Sequence, residues 1–304
     1  MTTTIVARPT TAVQPDIDDL LADLYCTLDD ALAAQRRGRP RTTTDAEMAC
    51  LVVAQMLLGY HETRIWVRTA DRCVGHLFPY IPCRSQYDER LRTLGPVLAE
   101  AIRILSRLHP TALDRTLLVD TTPVPCGKSP TTVRHSALAV VAAHGYSPAH
   151  ARRYWGLKLA LAVSLTDGFP VAYELVPANA SEQDALRELL SLANMHGRTL
   201  VGDKGFYGGE LEADVRASGA FLLRPDRIDE VPRLGHHMPF RIRIESANWS
   251  LKGRLSLERH GARSLGALCG RIGARILALA AAVWFNATVG NPGRHLSPYA
   301  VPSR

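Results

Sequence analysis

No CxxC pair occurs among the six cysteines, which stand at positions 26, 50, 73, 83, 126 and 269. That spacing argues against a zinc ribbon and a disulfide scaffold, and reads as reduced, mostly buried thiols in a cytoplasmic chain. The N-terminus, MTTTIVARPTT, has no basic segment followed by an apolar one, so no signal peptide is read there. Long apolar runs are missing too. The stretch ILALAAAVWF, residues 276–285, is too short to span a bilayer and predicts a buried helix, with no membrane contact. Gly127-Lys128-Ser129 is no P-loop, because Thr122 stands where the motif needs its first glycine. Cys126, His135, His144 and His150 fit no standard zinc spacing. Internal repeats and low-complexity tracts are absent, as is a G-x-S-x-G elbow.

What is present in excess is positive charge. The 304 residues carry a formal net charge of +7, which favours a polyanionic partner. The excess is concentrated, with eleven Lys/Arg against five Asp/Glu between residues 221 and 275. A phosphate-facing surface explains that clustering better than a balanced solvated face.

Hydrophobic periodicity divides the chain. Residues 16–35 predict a first helix, and RRGRPR (36–41) a basic linker. Thr44 and Glu47 have capping-box spacing before a second helix, and helical pattern continues to about 107. The texture changes at 115. TLLVDTTPV predicts a strand ending at Asp120, with Pro123 and Pro125 forbidding continuation. Strands follow at 155–165 and 170–177, a helix at 181–196 capped by Ser181, a strand at 199–206, a helix at 209–219 and a strand at 220–225. Helix returns over 244–287, where Gly266, Gly270 and Gly273 read as close-packing positions. That order predicts an α/β fold, a mixed sheet with flanking helices, after an all-helical N-terminal region.

Two strands lead into an acid in the same way: Leu117-Leu118-Val119 into Asp120, and Leu200-Val201-Gly202 into Asp203. Ligand sites in open α/β sheets gather beyond strand ends. Two carboxylates there form a hard-oxygen cluster suited to Mg²⁺ or Mn²⁺, and the best third acid is Glu245 in RIRIESANWSLKGR. On a helix Glu245, Trp249 and Lys252 share one face, offering a metal ligand, a base-stacking platform and a phosphate contact. The same pattern also suits an amphipathic helix with a buried Trp and a solvated Glu–Lys pair. RRGRPR contains the Arg-Gly-Arg-Pro core of minor-groove hooks, which makes Arg36, Arg37, Arg39 and Arg41 candidate DNA contacts; a plain basic linker is the other reading.

The D…D…E pattern, with two acids at strand ends and the third on a basic helix, resembles the DDE transposases of bacterial insertion sequences. One large group of these has Tyr, Arg, Glu and Lys separated by two, three and six residues. Arg241, Glu245 and Lys252 match that spacing, and Met238 stands in the Tyr place. VDTTPVP around the first Asp, GDKGFYG around the second and a hydrophobic helix ending in Asn286 extend the likeness over roughly 115–287.

The resemblance implies an RNase H-like catalytic domain at 113–290, a helical DNA-binding or dimerising region at 1–112 and a tail at 291–304. It implies a metal-dependent DNA nuclease and strand transferase that cuts DNA at transposon ends and joins it to target DNA. Asp120, Asp203 and Glu245 would hold two Mg²⁺ (or Mn²⁺) ions. Arg241, Lys252, Trp249 and Lys204 would contact DNA. The partners would be terminal inverted repeats, target DNA and a second copy of the chain, in the cytoplasm at the nucleoid. Two rivals remain open: a DNA-processing nuclease without strand transfer, and a non-catalytic DNA-binding protein of transposase descent.

Overall fold

The computed structural model describes residues 16–33, 41–147, 151–226, 238–291 and 293–299. Five helices come first: α1 (Ile17–Ala33), α2 (Asp45–Leu57), α3 (Thr63–Val74), α4 (Arg84–Thr93) and α5 (Gly95–Leu108). The start of α2 follows from its sequence. Thr44 Oγ1 accepts from the Glu47 amide at 3.1 Å while the Glu47 carboxylate accepts from the Thr44 amide at 2.6 Å, a reciprocal capping box.

The remainder is β1 (Thr116–Gly127), α6 (Pro130–His135), β2 (Ala143–Ser147), β3 (Arg152–Ser164), β4 (Pro170–Pro177), α7 (Glu182–Leu192), β5 (Thr199–Val201), α8 (Gly209–Ala217), β6 (Phe221–Leu223), α9 (Met238–Lys252) and α10 (Leu265–Thr288). The sheet runs β4-β3-β1-β5-β6, and β2 extends the β4 edge by pairing with the start of β3. The pairs β1–β3 and β3–β4 are antiparallel, whereas β5 and β6 run parallel to β1. An antiparallel meander followed by two parallel strands, each reached through a helix, is the RNase H-like arrangement. Apart from its exposed start, β3 is almost continuously buried, as a strand covered on both faces must be.

The strand expected to stop at Asp120 does not stop there. It runs on to Gly127 in antiparallel register with β3, so Asp120 lies inside β1 opposite Leu161. The prolines are tolerated because β5 accompanies only Thr116–Leu118. Beyond that point, among the described residues, the other edge of β1 has no strand beside it, and a residue without an N–H costs no ladder bond there.

Helices α1, α2, α4 and α5 share a core with the last long helix. The long apolar α10 packs against α5, α4, α2 and α1 as well as against β4 and α9. It is apolar enough to cross a membrane by length and composition, but 89% of that apolar stretch is buried inside the fold. Its glycines allow the approach: a Cβ on Gly266 would stand 2.4 Å from the Arg92 carbonyl oxygen, and one on Gly270 would collide with that of Leu91.

Between α9 and α10 the chain is pinned to β1 by His260. Its Nδ1 accepts from the Ala262 amide at 3.1 Å, which leaves the proton on Nε2, 3.0 Å from the Pro125 carbonyl oxygen. Burial pushes this imidazole down to about 4, with Arg275 and Arg271 acting in the same direction. Unfolded, it would titrate near ~6.5. The unfolded chain therefore binds the extra proton first, so stability from neutral His260 is full above pH ~6.5 and is lost as pH falls toward ~4. Urea unfolding should show a loss of up to about 3 kcal/mol from this group across that window. His260→Gln should flatten that part of the profile, and an unchanged profile would refute the assignment.

Candidate functional site

Asp120 is half-buried on β1 and held at both oxygens. Oδ1 accepts from the Thr121 amide and Oδ2 from the Asn248 side-chain amide, each at 2.8 Å. The first contact comes from the backbone, and Asn248, one turn beyond Glu245 on α9, holds the acid through its side chain.

Asp203 lies two residues past the end of β5, where the chain turns sharply. Its Oδ1 accepts from the Gly205 amide at 2.7 Å, and the buried Phe206 anchors the turn beneath it. Gly205 has to be small, because a Cβ there would collide with the Glu182 carboxylate and stand 2.9 Å from Asp203 Oδ1.

Glu245 is exposed on α9 and faces the same cleft. Leu118, Val119, Val201 and Ile244 form the apolar wall of a cavity of about 40 Å³, and Asp120, Asp203 and Glu245 are its acids. The three acids named from sequence are thus brought to one place by β1, the turn after β5, and α9.

A fourth acid adjoins them. Glu182, the first residue of α7, hydrogen-bonds to Asp203. Burial, followed by the Asp203 carboxylate and the more distant Asp120, pushes the Glu182 carboxyl up to about 7. Sequence reasoning missed it because an acid in the first turn of a helix is ordinary dipole chemistry. The only available signal was its place, just after the third strand of the meander. Asn248 was equally invisible, since nothing local marks an Asn as facing a carboxylate on another element.

The donor set is all carboxylate, which is the chemistry that suits Mg²⁺ or Mn²⁺. Among the described residues, no three His, Cys, Asp or Glu groups stand close enough to grip an ion as placed. The fit is one of donor chemistry, with Asp120, Asp203 and Glu245 as the residues that would hold the metal.

The remaining predicted contacts divide. Trp249 is 69% exposed, so the buried-Trp reading of this helix is excluded and a free aromatic face is available. Lys252 lies 4.0 Å from Glu258, and Lys204 is exposed beside Asp203. Arg241 lies on α9. Arg41 is exposed and pairs with Asp45 at 3.5 Å. Arg36, Arg37 and Arg39 lie outside the described residues.

The family described as Transposase DDE domain matches residues 111–281, more than half of the chain and all of the sheet. The chain belongs to the DDE transposases. Two solved structures show a low-scoring similarity to this transposase. One is the piggyBac transposase synaptic complex with hairpin DNA, at 11% identity, covering 93% of this chain and 76% of that one, with a TM-score of 0.40. The other is the Drosophila P element transposase strand transfer complex, at 14% identity, covering 68% and 46%, with a TM-score of 0.32. A search of curated proteins finds no match. The family assignment of this transposase rests on the matched domain rather than on these likenesses.

Proposed function

We propose that this transposase cuts DNA phosphodiester bonds at the ends of its element and joins the freed 3′ ends to target DNA, using divalent metal held by Asp120, Asp203 and Glu245. The observation that carries the reading is the meeting of these three acids, from three separate elements, at one small cleft. Bound metal would activate the attacking oxygen and stabilise the leaving one.

The chain's own residues prepare the site. Asn248 and the Thr121 amide fix the Asp120 carboxylate, and the Gly205 amide fixes that of Asp203. Glu182 adds a carboxyl group beside Asp203 and stays close to it only because residue 205 lacks a side chain. Trp249 and Lys252, on the same helix as Glu245, and Lys204, next to Asp203, would offer the DNA strand a stacking face and two cations. Acting on two ends at once calls for two copies of the chain, and a homodimer on DNA is part of the proposal.

The deciding assay offers labelled duplexes carrying the element's end, both intact and precut, with a supercoiled target plasmid and Mg²⁺. Cleavage of the intact end and joining of the precut end are both expected, and Asp203→Ala should abolish both. Cleavage without joining would reduce the protein to a nuclease. Undiminished cleavage by Asp203→Ala would remove the acids from the mechanism.

A further inference from the structure

Far from the acids, an open cavity of about 680 Å³ lies between the start of α3, α4 and the segment joining α9 to α10. Six arginines line it: Arg64, Arg84, Arg92, Arg259, Arg263 and Arg271. Only two acids, Glu62 and Asp88, share the lining. Asp88 is already engaged, 3.6 Å from Arg84 and 3.4 Å from Arg271.

Among the described residues Arg64, Arg92, Arg259 and Arg263 have neither an ion pair nor a side-chain hydrogen bond, and all four are exposed. Two buried polar atoms at the cavity, Arg271 Nε and His61 Nδ1, also have no hydrogen-bond partner among the described residues. Burial first, then Arg275 and Arg259, hold the His61 imidazole below its ordinary range, so it adds no proton to the cluster at neutral pH. Cations that converge without counter-charges repel one another, and an external polyanion relieves that repulsion.

The position suggests which polyanion. His260 lines the cavity and is bonded to Pro125 on β1, five residues beyond Asp120. At ~3.3 Å per residue this is about 17 Å, or roughly five base pairs of duplex at ~3.4 Å each. α9 and the turn after it pack along β1 over that interval, so one continuous stretch of chain leads from Glu245 past Lys252 and Arg254 to Arg259 and Arg263.

We propose that this arginine-lined cavity is a second DNA site, gripping the phosphate backbone of the duplex about five base pairs from the bond held at the carboxylate cleft. The base-pair register rests on the cleavage reading above; the phosphate grip itself does not.

The test uses the full chain and a fluorescein-labelled duplex of mixed sequence, with affinity read by anisotropy over a salt series. Arg92→Ala/Arg263→Ala should reduce the slope of log K against log[salt] by about two and weaken binding roughly tenfold or more at physiological salt. Neither side chain holds a partner, so the thermal melt should stay that of the wild type. Arg107→Ala/Arg216→Ala, which removes two exposed arginines elsewhere, should leave the slope close to wild type. An unchanged slope in the first variant, or an equal loss in the second, would overturn the proposal.

If inorganic phosphate raises the wild-type melting temperature while the duplex slope ignores Arg92 and Arg263, the cavity is a small-anion site and the DNA assignment falls. Methylphosphonate placed singly along a cleavable end then reads the register. Weakened binding is expected at the phosphates about five base pairs from the cut. Loss of cleavage in Asp203→Ala with the salt slope intact separates failure of one site from failure of the other.

Discussion

Asp120→Asn should lower the rate of DNA cleavage by at least about 10³-fold, with DNA affinity kept within a few-fold. The substitution preserves size, and its side chain can still accept from the Thr121 amide. What it removes is one unit of negative charge at a cleft whose donors are all carboxylates. A several-kcal/mol loss of charge stabilisation in the transition state corresponds to a rate factor of that size.

The affinity of the protein for Mn²⁺, measured by calorimetry without DNA, should fall in parallel. Asn248→Ala leaves the acid in place and removes only its 2.8 Å donor, so it should cost a smaller factor, about 10–100-fold. If Asp120→Asn cleaves at the wild-type rate, or if Asn248→Ala is the more damaging change, the cleft is not where the chemistry occurs.

Gly156→Ala should be the most destructive single methyl group in the sheet. Gly156 faces Pro125 in the β1–β3 register, beside the irregularity between Pro125 and Gly127. A Cβ there would collide with the Val124 carbonyl oxygen and stand 2.9 Å from the Cys126 nitrogen and 3.1 Å from the Pro125 Cα. All three are backbone atoms in paired strands, so no rotamer change can relieve the overlap. A loss of about 3 kcal/mol or more is expected, a drop in melting temperature on the order of 6–12 °C. Gly209→Ala is the control, because nothing lies within 4 Å of its Cβ position at the start of α8. That change should be neutral or stabilise by up to about 1 kcal/mol. Equal melting temperatures for Gly156→Ala and the wild type would contradict the strand register.

These cases show what local sequence can and cannot express. The capping box at Thr44, the Ser181 cap and the close-packing glycines of α10 are local or periodic signals, and each was readable in the chain. The three acids were readable because residue type, an apolar lead-in and spacing agreed. The continuation of β1 through Pro123 and Pro125 was not, because whether a proline breaks a strand depends on whether a neighbour needs its N–H. That neighbour, β5, turned out to be three residues long. Glu182 and Asn248 were hidden for the same reason: their meaning comes from Asp203 and Asp120, carried on other elements.

The packing of α10 against α1, α2, α4 and α5 also bears on how the chain is made. The N-terminal helices leave the ribosome with a large apolar surface and no partner for it until residue 288 has emerged. At ~5–20 residues per second, the 180 residues from 108 to 288 take roughly 10–35 s to synthesise. Throughout that interval the early helices are an unfinished core, which α10 completes.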